Sequence, residues 1–177
     1  MVKIAIVGAD ASKWLTIENA KEKVMKETGK ILNKYLNASR PWEGCDMEDI
    51  IFISGGCPKS GTDEWSETQA RQMLPSQEQI KIFKPEVNQW NDMMRMCRCG
   101  RPECEQKPYK VMGYKSRNIK IAETCDVLYC IVPYVKDAYC YHHKGEQDQT
   151  PHPKNGGCWT RNYAHSIGKE VHLVVIE

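Results

Sequence analysis

Short apolar runs alternate with longer stretches of helical spacing along this chain. Val2-Lys3-Ile4-Ala5-Ile6-Val7 reads as a strand closed by Gly8. Ile50-Ile51-Phe52-Ile53, Ile80-Lys81-Ile82-Phe83-Lys84, Asp126-Val127-Leu128-Tyr129-Cys130-Ile131-Val132 and Glu170-Val171-His172-Leu173-Val174-Val175-Ile176 read the same way. Between them Ile17, Ala20, Val24, Ile31 and Tyr35 recur at near-helical spacing, after a cap expected at Thr16. Further helices are expected over 63–73, from about Gly113 through Ile121 and Ala122, and from Gly156 through Ala164 to Gly168. Residues 37–49 look irregular. Strands alternating with helices predict an α/β fold, a Rossmann-like doubly wound parallel sheet of about five strands in a single domain spanning 1–177. Two stretches break the alternation and read as inserted loops, about 85–112 and 133–155.

That topology fixes where a ligand belongs. Right-handed crossovers bring the loops after the strands to one edge of the sheet, the carboxyl edge. Three loops meet there, 8–14, 54–63 and 155–160, and all carry glycine with hydroxyl or charged residues. The loop Ser54-Gly55-Gly56-Cys57-Pro58-Lys59-Ser60-Gly61-Thr62-Asp63 joins a buried strand to a helix. Such a turn aims backbone N–H groups and a helix N-terminus at an anion. Gly8, Asp10 and Ser12 on the first loop, Gly55, Gly56, Lys59, Ser60, Gly61, Thr62 and Asp63 on the second, and Gly156, Gly157 and Thr160 on the third are therefore candidate ligand contacts. Gly56 and Gly61 have the spacing of a phosphate-binding P-loop, but Thr62 stands where that motif needs lysine. Asp63, at a helix start, either caps the helix or accepts hydrogen bonds from ribose hydroxyls. Arg117, beside Asn118, is either a solvated helix residue or a bidentate phosphate ligand. Trp14 and Trp159 are each either packed or available to stack on a base.

Composition removes several alternatives. The formal net charge is +2, with no basic field of the kind that grips nucleic acid, so a single-strand binder is disfavoured. No apolar stretch approaches the ~20 residues of a transmembrane helix, and no membrane partner is expected. The first residues read as a strand rather than a signal peptide, which places the chain in the cytoplasm. Nine cysteines are many for a reducing compartment, where disulfides are disfavoured. Some are expected to bind metal and the rest to pack as small hydrophobes. Cys97, Cys99 and Cys104 lie close enough to share a structural zinc ion, with the fourth ligand from Cys140, His142 or His143. Such an ion would staple the two insertions together. Cys45, Cys57, Cys125, Cys130 and Cys158 look isolated, and His152 reads as a surface residue on a long loop.

The order of these pieces resembles the SLOG superfamily, the Rossmann-like group that includes DprA and the lonely-guy proteins, and within it the YspA-like branch. The residues that carry the likeness are Val7-Gly8, Ser54-Gly55-Gly56 with Gly61-Thr62-Asp63, Phe83-Lys84-Pro85, Arg117-Asn118 with Ile121-Ala122, Asp126-Val127-Leu128, Gly156-Gly157 with Thr160 and Ala164, and Gly168-Lys169-Glu170-Val171. The resemblance implies a small-molecule ligand, a nucleotide or nucleotide derivative such as a nucleoside monophosphate or an ADP-ribose-like compound. It also implies an alternative, hydrolysis of the N-glycosidic bond of a nucleoside monophosphate, with Arg117 and a carboxylate, Asp63 or Glu64, as the catalytic groups. One departure bears on that alternative. Hydrolases of the superfamily carry Pro-Gly-Gly-x-Gly-Thr-x-x-Glu where this chain has Asn155-Gly156-Gly157-Cys158-Trp159-Thr160-Arg161-Asn162-Tyr163. Trp159 replaces a glycine, and no glutamate follows. Relatives often dimerise through helices, and the sequence leaves a homo-oligomer open.

Overall fold

The computed structural model of the chain describes residues 1–38, 50–97, 99, 108–143 and 150–177. Five parallel strands form one sheet: β1 (Val2–Gly8), β2 (Ile50–Ser54), β3 (Ile80–Ile82), β6 (Val127–Pro133) and β7 (Glu170–Ile176), in the order β3-β2-β1-β6-β7. The fold is α/β and Rossmann-like. Helices α1 (Ala20–Ala38) and α2 (Thr62–Met73) cover one face, and α3 (Tyr114–Thr124) and α4 (Gly156–Ser166) cover the other.

The period of two along the strands sorts the core. Ile4, Ile6, Ile50, Phe52, Val127, Tyr129 and Ile131 point to the α1 and α2 face, packing on Val24, Ile31, Leu32 and Ala70. Ala5, Val7, Ile51, Ile53, Leu128, Cys130 and Val132 point to the α3 and α4 face, packing on Ile121, Ala122 and Ala164. β1, β2 and β6 are apolar on both faces because both are covered, the expected habit of a parallel sheet. Trp14 belongs to this core rather than to a ligand surface. It is 3% exposed, its Nε1 donates to Ala9 O at 3.2 Å, and it meets Trp65 edge-on.

Two local readings are corrected. The first helix starts at Ala20, not after a cap at Thr16. A series of turns fills 15–19, ending at Asn19 with φ 53°, whose carbonyl accepts from Lys23 N at 3.0 Å. The third strand stops at Ile82, where its pairing with β2 ends at Ser54, Phe83 N giving the last hydrogen bond to Ser54 O at 2.9 Å. The first insertion has its own structure, an antiparallel hairpin of β4 (Met93–Met96) and β5 (Pro108–Val111). Asp92 ties that hairpin to α3. Its carboxylate accepts from Gly113 N at 2.8 Å and Ser116 Oγ at 2.6 Å, and pairs with Lys110 at 2.6 Å. Gly113, the residue preceding α3, has no side chain of its own to cap the helix, so Asp92 supplies the acceptor from outside. Among the described residues no helix is long and apolar enough to cross a membrane.

Candidate functional site

The strand order reverses between β1 and β6, whose next elements run to opposite faces of the sheet, so their carboxyl ends splay and leave a crevice. A cavity of about 140 Å³ lies there. Val7, Gly8, Ala9 and Asp10 line it from the end of β1, and Cys57, Lys59 and Asp63 from the second loop. Tyr114, Arg117 and Asn118 on α3, Gly156, Gly157 and Thr160 on α4, and Trp90 from the first insertion complete the wall.

Arg117 and Asp63 form the polar centre. Arg117 Nη1 lies 3.2 Å from Asp63 Oδ2, and the side chains are only 8% and 6% exposed. The guanidinium reaches this place because residue 55 is glycine. A Cβ there would overlap Arg117 Nη1 and stand 2.5 Å from Asp63 Oδ2. Burial pushes the Asp63 carboxyl above the ordinary carboxylate range, against the pull of Arg117 and of backbone N–H groups at Cys57 and Gly8. Arg117 Nε is buried with no hydrogen-bond partner among the described residues. A buried charged donor in that state costs free energy unless a ligand or water completes it.

The α4 side brings a helix N-terminus against this pair. A Cβ on Gly157 would stand 2.6 Å from Gly8 Cα, so α4 abuts β1 with no side chain between them. The first backbone N–H groups of a helix have no intrahelical partner, and Gly156 and Gly157, which bear two of them, border the cavity. Cys57, in the opposite wall, has its thiol pushed up by burial, so near neutrality it is a thiol rather than a nucleophilic thiolate.

A second, larger recess of about 630 Å³ adjoins the cavity and shares Trp90 and Gly156 with it. Tyr141, His142, Lys154, Asn155, Trp159 and Asn162 complete its lining. Trp159 sits edge-on to Trp90 at 5.1 Å between ring centroids and stacks on Tyr163 at 5.6 Å. Lys154 Nζ stands 4.4 Å from the Tyr141 ring centroid. The cavity is polar and charged, and the recess is aromatic.

Not every expected contact lies on the wall. Ser12, Gly55, Gly56, Ser60, Gly61, Thr62 and Glu64 are not among the lining residues. Ser12 instead donates from N to Asp10 Oδ1, where Asp10 caps a short 3₁₀ turn. Thr62 Oγ1 donates to Ile131 O at 3.1 Å, tying α2 to β6. Glu64 is exposed on α2, away from the carboxyl that faces the cavity. Trp90 and Tyr114 were not expected in the site. Neither carries a local signal, because the insertion meets the start of α3 through tertiary hydrogen bonds, Tyr114 N to Gln89 O, Lys115 N to Trp90 O and the Asp92 contacts.

The cysteines regroup. Cys140, His152 and Cys158 are 5%, 1% and 0% exposed, and their ligand atoms all lie within 4.8 Å of one another. This buried cluster can hold a metal ion. Cys158 is therefore not isolated, and His152 is not a surface residue. Of the segment expected to share Cys140, Cys97 is half-buried, Cys99 is exposed, and Cys104 lies outside the described residues, as does Cys45. His142 borders the aromatic recess. Cys125 and Cys130 are core, each 0% exposed. No protein-family model, curated protein or solved structure matches this chain.

Proposed function

We propose that this protein binds a nucleotide, a nucleoside monophosphate or an ADP-ribose-like compound, with its phosphate and ribose in the polar cavity and its base in the aromatic recess. The observation that carries the reading is Arg117, buried beside Asp63 with Nε unpartnered among the described residues and facing a wall that includes the α4 N-terminus. An anion there would receive the guanidinium donors and the Gly156 and Gly157 N–H groups together. Asp63 and Asp10 supply acceptors for ribose hydroxyls. The cavity alone is too small for a whole nucleotide, for which sites of about 300 Å³ or more are usual, and the adjoining recess supplies the remainder. Strand order and the three loops favour placing the chain with the SLOG superfamily.

Calorimetric titration of the full chain with AMP and ADP-ribose tests this. Binding is expected for at least one, with affinity reduced about tenfold or more by Trp159→Ala, since stacking a base on an aromatic ring contributes ~1–3 kcal/mol. Absence of binding or thermal shift at millimolar nucleotide would end the proposal.

A second reading is favoured by the raised Asp63 carboxyl: cleavage of the N-glycosidic bond with Asp63 as general acid. Release of free base by the wild type, abolished in Asp63→Asn, is its signature. Binding without release leaves recognition as the function.

For the buried Cys140, His152 and Cys158 we infer zinc as the occupant, held structurally, because imidazole and thiolate in a closed site are its usual ligands.

A further inference from the structure

We propose that Cys130 completes this site with Cys140, His152 and Cys158, and that the bound ion clamps the N-terminus of α4 and so sets the phosphate side of the ligand cavity. The identity of the ion rests on the zinc reading above. The consequence for ligand binding rests on the nucleotide reading.

Three of the four ligand atoms, those of Cys140, His152 and Cys158, lie within 4.8 Å of one another, and Cys130 enters through Cys158. Cys130 Sγ lies 3.9 Å from Cys158 Sγ. Two thiolates on one zinc ion, each about 2.3 Å from the metal, stand about 3.8 Å apart. Cys130 is fully buried on β6 and cannot be reached by solvent to serve any exposed role. His152 Nδ1 is 2.6 Å from Thr150 O. A carbonyl only accepts, so the proton is on Nδ1 and Nε2 carries the lone pair, the tautomer that a metal-ligating imidazole adopts when a carbonyl holds its other nitrogen. Asn155 Nδ2 donates to Cys158 Sγ at 3.2 Å, a polar contact of the kind that steadies a ligating thiolate.

Asn155 also connects the cluster to the cavity. Its Oδ1 accepts from Cys158 N at 3.0 Å, so one side chain caps α4 and touches the sulfur of a ligand. Gly156 and Gly157 lie between Asn155 and Cys158. Val135 N donates to Pro151 O at 3.3 Å, which brings the ends of the second insertion together, and the ligand atoms of Cys140 and His152 lie beside that of Cys158. An ion bound here would join β6, both ends of that insertion, and α4 at one point. Tyr141 of the recess follows Cys140 directly, and Lys154 lies two residues after His152. The ion would add to the Asn155 cap and to the packing of α4 on Gly8 and the apolar face, which hold the helix start without it.

The test uses the full-length chain. Purified protein is expected to hold one zinc per chain by elemental analysis. Replacement by Co²⁺ is expected to give the visible bands of tetrahedral cobalt and a thiolate charge-transfer band sized for three thiolates. Cys130→Ser should lower that band to two thiolates, and Cys158→Ser should abolish tight uptake. Cys125→Ser, a buried thiol outside the cluster, should change nothing. Asn155→Ala should weaken metal binding about tenfold. Removing the metal should cost amide-exchange protection at 156–160 and weaken AMP binding.

No zinc and no cobalt spectrum overturns the site. A band unchanged by Cys130→Ser overturns the fourth ligand. Unchanged protection at 156–160 in metal-free protein overturns the clamp. Metal-loaded protein that shows the cobalt spectrum and the protection change but binds neither AMP nor ADP-ribose refutes the nucleotide reading and leaves the metal site standing.

Discussion

The two faces of the sheet are built differently. The α1 and α2 face is an ordinary apolar core of isoleucine, valine and leucine with Phe52, Trp14 and Tyr129. A buried polar link joins its two helices, Thr28 Oγ1 donating to Ser66 Oγ at 2.9 Å. The α3 and α4 face is assembled from smaller side chains and four thiols, Cys125, Cys130, Cys140 and Cys158, one of them drawn in from an insertion. Large aliphatic groups bury enough area to hold a helix pair without help, about 1.5–3 kcal/mol each. Small residues and thiols let α4 come close to β1, as the Gly157 and Gly8 contact requires, but they bury less. The close face is the one that borders the candidate site, and its cysteines stand where a metal ion can add what packing does not.

The largest expected effect breaks the first face. Phe52 is 0% exposed at the centre of the apolar cluster. Phe52→Ala should lower unfolding free energy by about 3–5 kcal/mol, measured in urea. The loss should be the same with and without a metal chelator, because distant perturbations add. A loss that changes with chelation would mean that the faces are not independent.

Most of the first face was legible in the sequence, and much less of the second. Ile50, Phe52, Ile4 and Ile6 announce strands because apolar runs of that length, bounded by glycine, have few other uses. The alternation of strand and helix then dictated the parallel sheet and the edge where loops converge. The cluster at 140, 152 and 158 could not be read this way. Its members are separated by a long insertion with no spacing familiar from compact zinc motifs, and they meet in the fold where Val135 N donates to Pro151 O and the insertion's ends come together. The hairpin of β4 and β5 was hidden too, since Met93–Met96 and Pro108–Val111 lack alternation and one begins with proline. Gly55 was legible as a functional glycine but not for its reason, which is the passage of Arg117 from another element.

A second, smaller effect tests the pair that joins the two halves across the cavity, Asp63 on α2 and Arg117 on α3. Arg117→Met leaves the Asp63 carboxyl buried without its partner and should destabilise by about 3 kcal/mol at neutral pH. The sign of the pH dependence follows from Asp63. Its pKa is already raised in the folded state and rises further once the guanidinium is gone. A raised acid stabilises the fold below its unfolded value, about 3.9, and that contribution is lost as pH rises through the folded pKa. The deficit of Arg117→Met relative to wild type should therefore shrink as pH falls towards 4, read as thermal midpoints across pH. The double variant with Asp63→Asn should recover part of the loss at neutral pH. A deficit independent of pH would show that the carboxylate is not what the substitution strands.

The smallest effect separates the thiol on the cavity wall from the thiols of the α3 and α4 face. Cys57 is half-buried and lines the cavity, and burial raises its pKa. Cys125 is fully buried, and its thiol is pushed up to about 11. Iodoacetamide reacts with thiolate, so Cys57 should be modified slowly at pH 7 and faster as pH climbs past the ordinary thiol value of about 8.5. Cys125 should stay unmodified throughout, because the reagent cannot reach it until the face opens. Peptide mapping by mass spectrometry resolves the two. Bound AMP should slow Cys57 and leave Cys125 unaffected, since only the first shares a wall with the proposed phosphate. If Cys125 reacts alongside Cys57 in the native protein, the α3 and α4 face opens on the timescale of the reaction, and the difference between the two faces is one of dynamics as well as composition.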